Sequence, residues 1–189
     1  MGVAVRKDRR YTYQDYCGWP DEERWEIIDG VAYNMSPAPT VKHQRIVGQL
    51  LRKAADGFEA RGCSLFIAPT DVVLDDFNVV QPDVFVVCDK NKITEKNIQG
   101  APDLIVEVIS PSTGVKDKRG KRNLYEKVGV KDYIIIFPEE EMVEWYRLEE
   151  GRYSTPQIFD WDETMTLESF DMELNLWEIF GKEKAQEPE

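Results

Sequence analysis

The sequence predicts an α/β domain in which a mixed central sheet is flanked by helices. Three observations predict it. Two apolar runs, VVQPDVFVV at 79–87 and LIVEVI at 104–109, alternate too little to own a wet face, the pattern of strands covered on both sides. Ahead of them, Ile46, Val47, Leu50, Leu51, Ala54, Ala55 and Phe58 recur at helical spacing, and behind them Leu124, Tyr125 and Val128 do the same. Several further strand-like segments follow the second stripe, so sheet and helix are interleaved along one chain.

In order, residues 1–10 are basic and unpatterned, a flexible N-terminal arm. Thr12 caps a short helix that ends near Gly18 and Pro20. Residues 24–28 and 31–35 flank Asp29-Gly30, a strong hairpin signal, and Glu26 alternates there with Trp25 and Ile27. By itself Glu26 reads as a solvent-facing strand residue. SPAP at 36–39 breaks the chain before Thr40, the N-cap of the long helix that Gly62 closes. His43 stands in its first turn, where a lone histidine more often decorates a surface. Residues 64–68 and 71–74 read as strands around Pro69-Thr70, and 75–78 turn the chain into the run at 79–87.

Pro82 cannot donate to a ladder, so within a buried strand it implies a bulge or a local opening that aims Asp83. Asp103 reads as a strand-entry residue. Pro111 stops the next strand, and Ser112 or Thr113 caps the helix that follows. Residues 131–137, 142–148 and 153–159 continue as strands, with Gly151 turning a hairpin, and 174–180 reads as a last short helix. Trp145, Tyr146, Tyr153 and Trp161 are expected to pack across strands rather than to form a base-stacking platform.

With 189 residues, 42% of them hydrophobic, the chain suits one domain with a sizeable core, residues 11–181, followed by a charged tail at 182–189. No apolar run is long enough for a membrane helix or a signal peptide. Cys17, Cys63 and Cys88 are odd in number and lack metal-ligand spacing, which predicts a reducing, cytoplasmic setting. A single histidine excludes a His-rich zinc centre. There is no glycine-rich phosphate loop or nucleophile elbow, and Ser110 and Ser112 have no histidine at a motif distance. The net charge of −12 is awkward for a protein that meets phosphates, but the acidity is concentrated at 21–23, 139–141, 149–150, 160–163 and the tail, while 116–122 is strongly basic.

Within this frame two carboxylates stand out. The strand period puts Asp103, Ile105, Glu107 and Ile109 on one face and Leu104, Val106 and Val108 on the other. A buried, unpaired charge costs several kcal/mol, so Asp83 and Glu107 need a cation or strong donors. Asp117, Lys121, Leu124, Tyr125 and Val128 share one helical stripe, which turns Lys121 toward the sheet, whereas Lys116, Lys118, Arg119 and Arg122 point elsewhere. A lysine delivered to two strand carboxylates is the constellation of metal-assisted phosphodiester cleavage. An all-oxygen site suits Mg²⁺, with Mn²⁺ as its substitute.

These residues carry a resemblance. Pro82-Asp83, Glu107 in a strand and a nearby lysine resemble the PD-(D/E)xK nuclease superfamily. More narrowly, WEIIDGVAYNMSPAPTVKHQRIV, VVQPDVFVV, GAPDLIVEVISPST, D-x-x-x-K-x-x-x-Y and GVKDYIII, spanning roughly 11–180, resemble the Uma-two family of endonucleases with a restriction-endonuclease-like fold. The resemblance implies a metal-dependent endonuclease in which Asp83 and Glu107 ligate the ion, Lys121 is catalytic and Glu26 joins the site. Gln81, placed to position a water, and His43 and Asp117 are accessory. It implies nucleic acid, DNA ahead of RNA, as partner, and admits a homodimer. One departure stands out: the superfamily's lysine, two residues beyond the glutamate, is Ile109 here, so that role moves to Lys121. The alternative reading is a non-catalytic member of the same fold that binds nucleic acid or a protein.

Overall fold

The computed structural model describes residues 5–6, 8–20, 23–35, 38–109 and 115–184, the side chains at 5 and 115–119 excepted. The chain begins with β1 (Val5–Arg6), α1 (Tyr13–Tyr16), β2 (Trp25–Ile28), β3 (Val31–Asn34) and α2 (Val41–Glu59). Next come β4 (Ser64–Ile67), β5 (Val72–Asp75), β6 (Asn78–Val80), β7 (Val84–Val87), β8 (Ile98–Gln99) and β9 (Leu104–Val108). After α3 (Val115–Val128) follow β10 (Asp132–Phe137), β11 (Met142–Glu149), β12 (Arg152–Tyr153), β13 (Gln157–Asp160), β14 (Thr164–Leu167), β15 (Met172–Asn175) and α4 (Leu176–Ile179).

The strands form a six-stranded sheet in the order β1-β3-β2-β6-β5-β8 and a seven-stranded sheet, β12-β11-β10-β9-β7-β4 with β13 also on β11. Asp29 and Gly30 both take positive φ, 51° and 79°, the geometry that lets a two-residue turn join β2 to β3. β9 and β10 run parallel, from Leu104 opposite Asp132 to Val108 opposite Ile136, so a crossover must join them, and α3 is that crossover. The predicted mixed sheet with helices on its faces is therefore present, with a second sheet beside it.

Four expectations need correction. The run at 79–87 is not one strand: β6 lies in the six-stranded sheet and β7 in the seven-stranded one. Gln81-Pro82-Asp83 carries the chain across, because a residue without an N–H cannot continue the ladder. In the final segment only Leu176–Ile179 is helical. Met172–Asn175 pairs with β14 around a turn that has Asp171 at φ 46° and no Asn-Gly or Asp-Gly to announce it. Within the supposed arm, Val5 and Arg6 pair with Tyr33 and Ala32. The three cysteines are not all free: Cys63 and Cys88 form a disulfide (S–S 2.03 Å), and Cys17 is free and exposed. The register of β4 on β7, with Ser64 opposite Val87, sets Cys63 against Cys88 and removes the cysteine argument for a reducing setting.

Both faces of the seven-stranded sheet are covered. Ile46, Val47, Leu50, Ala54 and Phe58 of α2 pack on Val84, Val86, Leu104, Val106, Ile134 and Ile136. Thr40 caps this helix through the His43 amide, and Leu51, at the margin of the predicted stripe, stays 37% exposed. On the other face Leu124 and Tyr125 of α3 meet Phe85, Ile105, Tyr133 and Ile135. Each of the Val, Leu, Ile and Phe side chains among them, fully buried, contributes about 1.5–3 kcal/mol. Trp145 and Tyr146 are buried in these clusters rather than displayed for stacking. Among the described residues no helix is long and apolar enough to cross a membrane.

Candidate active site

Asp83 ends the passage between the sheets, directly before β7. Its backbone carbonyl accepts from Ala68, while its Oδ2 accepts the Val108 N–H of the neighbouring β9 at 2.8 Å. His43 Nε2 lies 3.1 Å from the same oxygen. The histidine is only 6% exposed, so it is no surface decoration. The N-cap of α2 presses its first turn onto the start of β7.

Glu107 lies next to Val108 in β9, on the face turned to α3. Its Oε1 accepts from Lys121 Nζ at 3.0 Å and from the Tyr125 hydroxyl at 2.8 Å, the two donors being one helical turn apart on α3. Lys121 Nζ also lies 2.8 Å from Glu26 Oε1, which accepts the Gln81 backbone N–H at 2.9 Å. Glu26 is 6% exposed: the β2–β3 hairpin turns it inward, and the solvent-facing reading does not hold. The Gln81 side chain is occupied on both sides. Arg24 Nε and Nη2 donate to its oxygen at 3.1 and 2.8 Å, and its nitrogen donates to Asp71 at 2.8 Å and Tyr16 at 3.3 Å. The expected water-positioning amide is thus committed elsewhere, and Gln81 instead supports Glu26 through its main chain.

Two acids, Glu107 and Glu26, therefore share one lysine, and Asp83 stands beside Glu107's strand. Burial pushes the Glu107 carboxyl up to about 7, with Asp83 and Glu26 adding to the rise and Lys121 and Tyr125 opposing it. Burial alone would lower Lys121, but Glu107 and Glu26 outweigh it and hold the ammonium above its ordinary value. Burial, with the Glu107 and Glu26 charges, also holds the Tyr125 hydroxyl well above its usual range, so it stays a donor.

The structure thus brings together Asp83, Glu107, Lys121, Glu26, Gln81 and His43. For Asp117 only the helical backbone is described, and Ser110, Ser112 and Thr113 lie outside the described residues. Ile109, at the superfamily's lysine position, packs against the apolar cluster under α3. Tyr125 belongs to the core stripe of α3, and its spacing of four from Lys121 is the signal that points it at the same carboxylate. Tyr16, Asp71 and Arg24 carry no local signal, since the pairing of β2 with β6 brings Arg24 to Gln81, that of β5 with β6 brings Asp71, and Tyr16 of α1 bonds Asp71 in turn.

Asp83, Glu107 and Glu26 offer oxygen donors, the type that hard divalent cations take. Each carboxylate turns one oxygen to protein donors: Oδ2 of Asp83, Oε1 of Glu107 and Oε1 of Glu26. Among the described residues no three His, Cys, Asp or Glu side chains are drawn together tightly enough to hold an ion by themselves. The donor set fits a hydrated cation bound through one or two carboxylates rather than a closed protein cage.

Comparison with known proteins adds three findings. The family model Uma2, described as putative restriction endonuclease, matches residues 11–177. An uncharacterized protein of Synechocystis sp. is 28% identical over 127 residues, which is 65% of this chain and 66%, just under two thirds, of that protein. A crystal structure of a putative nuclease belonging to DUF820 from Anabaena variabilis aligns with a TM-score of 0.75 over 90% of this chain and 97% of that chain, at 22% identity, a likeness of fold.

Proposed function

The chain belongs to the Uma2 family, described as putative restriction endonucleases, and from that premise we propose that it hydrolyses nucleic-acid phosphodiester bonds with the help of a divalent cation. The observation that carries the proposal is the shared ammonium: Lys121 Nζ sits 2.8 Å from Glu26 and 3.0 Å from Glu107, with Asp83 bonded to the next residue of Glu107's strand. A buried group of two acids and one lysine gains little as a stabilising device, because an ion pair in the interior is often matched or bettered by apolar residues of the same volume.

Asp83 and Glu107 would hold Mg²⁺, with Mn²⁺ as substitute. Bound there, the ion supplies Lewis acidity toward a phosphoryl oxygen and lowers the pKa of a bound water. Glu26 keeps Lys121 directed into the cluster, and the ammonium offers charge where the transition state accumulates it. Tyr125 fixes one oxygen of Glu107, and His43 with the Val108 amide fixes one oxygen of Asp83. The family description favours DNA over RNA as the substrate.

The test is incubation of the pure chain with mixed DNA and RNA substrates in Mg²⁺ or Mn²⁺, beside an EDTA control and Asp83→Asn. Cleavage is expected only with the divalent ion and only from the unaltered chain. Cutting that survives both the chelator and the substitution removes these residues from the chemistry. A chain that binds DNA but never cuts it is a binding member of the fold.

A further inference from the structure

Arg24 touches Gln81 from an unusual position. The Met35 N–H donates to the Arg24 carbonyl at 2.9 Å, which extends the β2–β3 ladder one step and fixes the Arg24 backbone at the end of β2. Strand alternation puts Trp25 on the opposite face and Arg24 on the same side as Glu26, with Cα atoms about 7 Å apart at two strand steps. Glu26 is buried at that point and Arg24 is exposed, so the pair marks the passage from the acidic cluster to solvent.

The guanidinium is also oriented without being neutralised. Arg6, Arg9, Arg61 and Arg147 each pair with a carboxylate: Glu23, Asp15, Asp171 and Glu168. Arg24 makes no ion pair among the described residues and donates through Nε and Nη2 to the neutral amide oxygen of Gln81. That amide is itself held by Asp71 and Tyr16. Two N–H groups are thus used for orientation while the full positive charge remains for an anion, and a planar fork suits a phosphate better than a point charge does. In a chain of net charge −12, a strand approaching the acids needs such a local cation.

We propose that Arg24 binds a phosphate of the nucleic-acid strand next to the one being cleaved. The inference rests on the nuclease reading of the Asp83–Glu107–Lys121 cluster. It makes Arg24 a substrate-binding residue, not a catalytic one, with Gln81 as its support.

The experiment is equilibrium binding of a fluorescent DNA duplex to the full chain, with EDTA present so that no strand is cut, over a series of salt concentrations. Arg24→Gln, which keeps a donor for Gln81 but no charge, should weaken binding on every sequence tried and lower the slope of log affinity against log salt by about 0.9, one phosphate's share. Arg24→Lys should keep the slope. An unchanged slope in Arg24→Gln, or the same loss in Arg24→Lys, overturns the assignment and leaves Arg24 as a brace for Gln81. If the unaltered chain binds no duplex at any salt, the nuclease reading fails and this inference fails with it. A normal slope change in a chain that never cleaves separates the two, keeping Arg24 and discarding the chemistry.

Discussion

The two faces of β9 are equally buried and carry opposite contents. Toward α2 it presents Leu104, Val106 and Val108, all apolar and at most 4% exposed. Toward α3 it presents Ile105 and then Glu107, which is 7% exposed and reaches Lys121 and Tyr125. The first face stabilises by removing area from water. On the second, the same strand takes on a desolvation of Glu107 that Lys121 and Tyr125 do not fully offset and that Asp83 and Glu26 add to, and the rise of the Glu107 carboxyl to about 7 reflects that imbalance.

Substitutions on the two faces should separate them. Lys121→Ala leaves Glu26 and Glu107 without their shared cation. It should lose about 3–5 kcal/mol in urea unfolding at pH 8, as for a broken buried pair, and less at pH 5, where Glu107 is protonated in the folded chain. Any turnover should fall about 10²–10³-fold, by analogy with the loss of one preorganised donor. Leu104→Ala on the apolar face should cost about 2–5 kcal/mol as a cavity, equally at both pH values and with cleavage retained. If the two variants lose stability alike across pH, the distinction between the faces collapses.

The pH dependence of the unaltered chain sharpens the comparison. Because the folded value of Glu107 is raised above the ordinary 4.5 to about 7, the folded state holds a proton that the unfolded state has released. The associated stability is present below pH 4.5, is lost as pH rises through 7, and is flat beyond. The fall is on the order of 3 kcal/mol at about 1.36 kcal/mol per unit. Glu107→Gln should flatten that stretch of the curve, whereas Leu104→Ala should leave its shape alone. Smaller still, Tyr125→Phe removes one hydrogen bond to a charged acceptor, worth about 1.5–3 kcal/mol. It should move the fall to higher pH, since Tyr125 opposes the rise of Glu107.

Much of the second face was legible in the sequence because strand and helix periods are local. Alternation gave Glu107 its side, and the spacing of Lys121, Leu124 and Tyr125 gave α3 its inward stripe. What stayed illegible depends on pairing between distant segments. The passage at Gln81–Asp83 looked like a kink inside one strand, since nothing local says that β6 and β7 belong to different sheets. Glu26 reads as solvent-facing from its own strand alone, and Arg24 and Asp71 converge on Gln81 only through the pairings of β2 and β5 with β6. Cys63 and Cys88 are 25 residues apart and meet only through the register of β4 on β7.

If the polar face holds a divalent cation, the melting temperature must respond to Mn²⁺ or Mg²⁺. The unaltered chain, Leu104→Ala and Asp83→Asn should be scanned side by side. An ion that binds the folded chain stabilises it by mass action, by about 2.7 kcal/mol at a hundredfold excess over its Kd. A clear rise is expected for the unaltered chain, the same rise for Leu104→Ala from its lower starting point, and little or none for Asp83→Asn. An equal rise in Asp83→Asn, or no rise in any of the three, would contradict it.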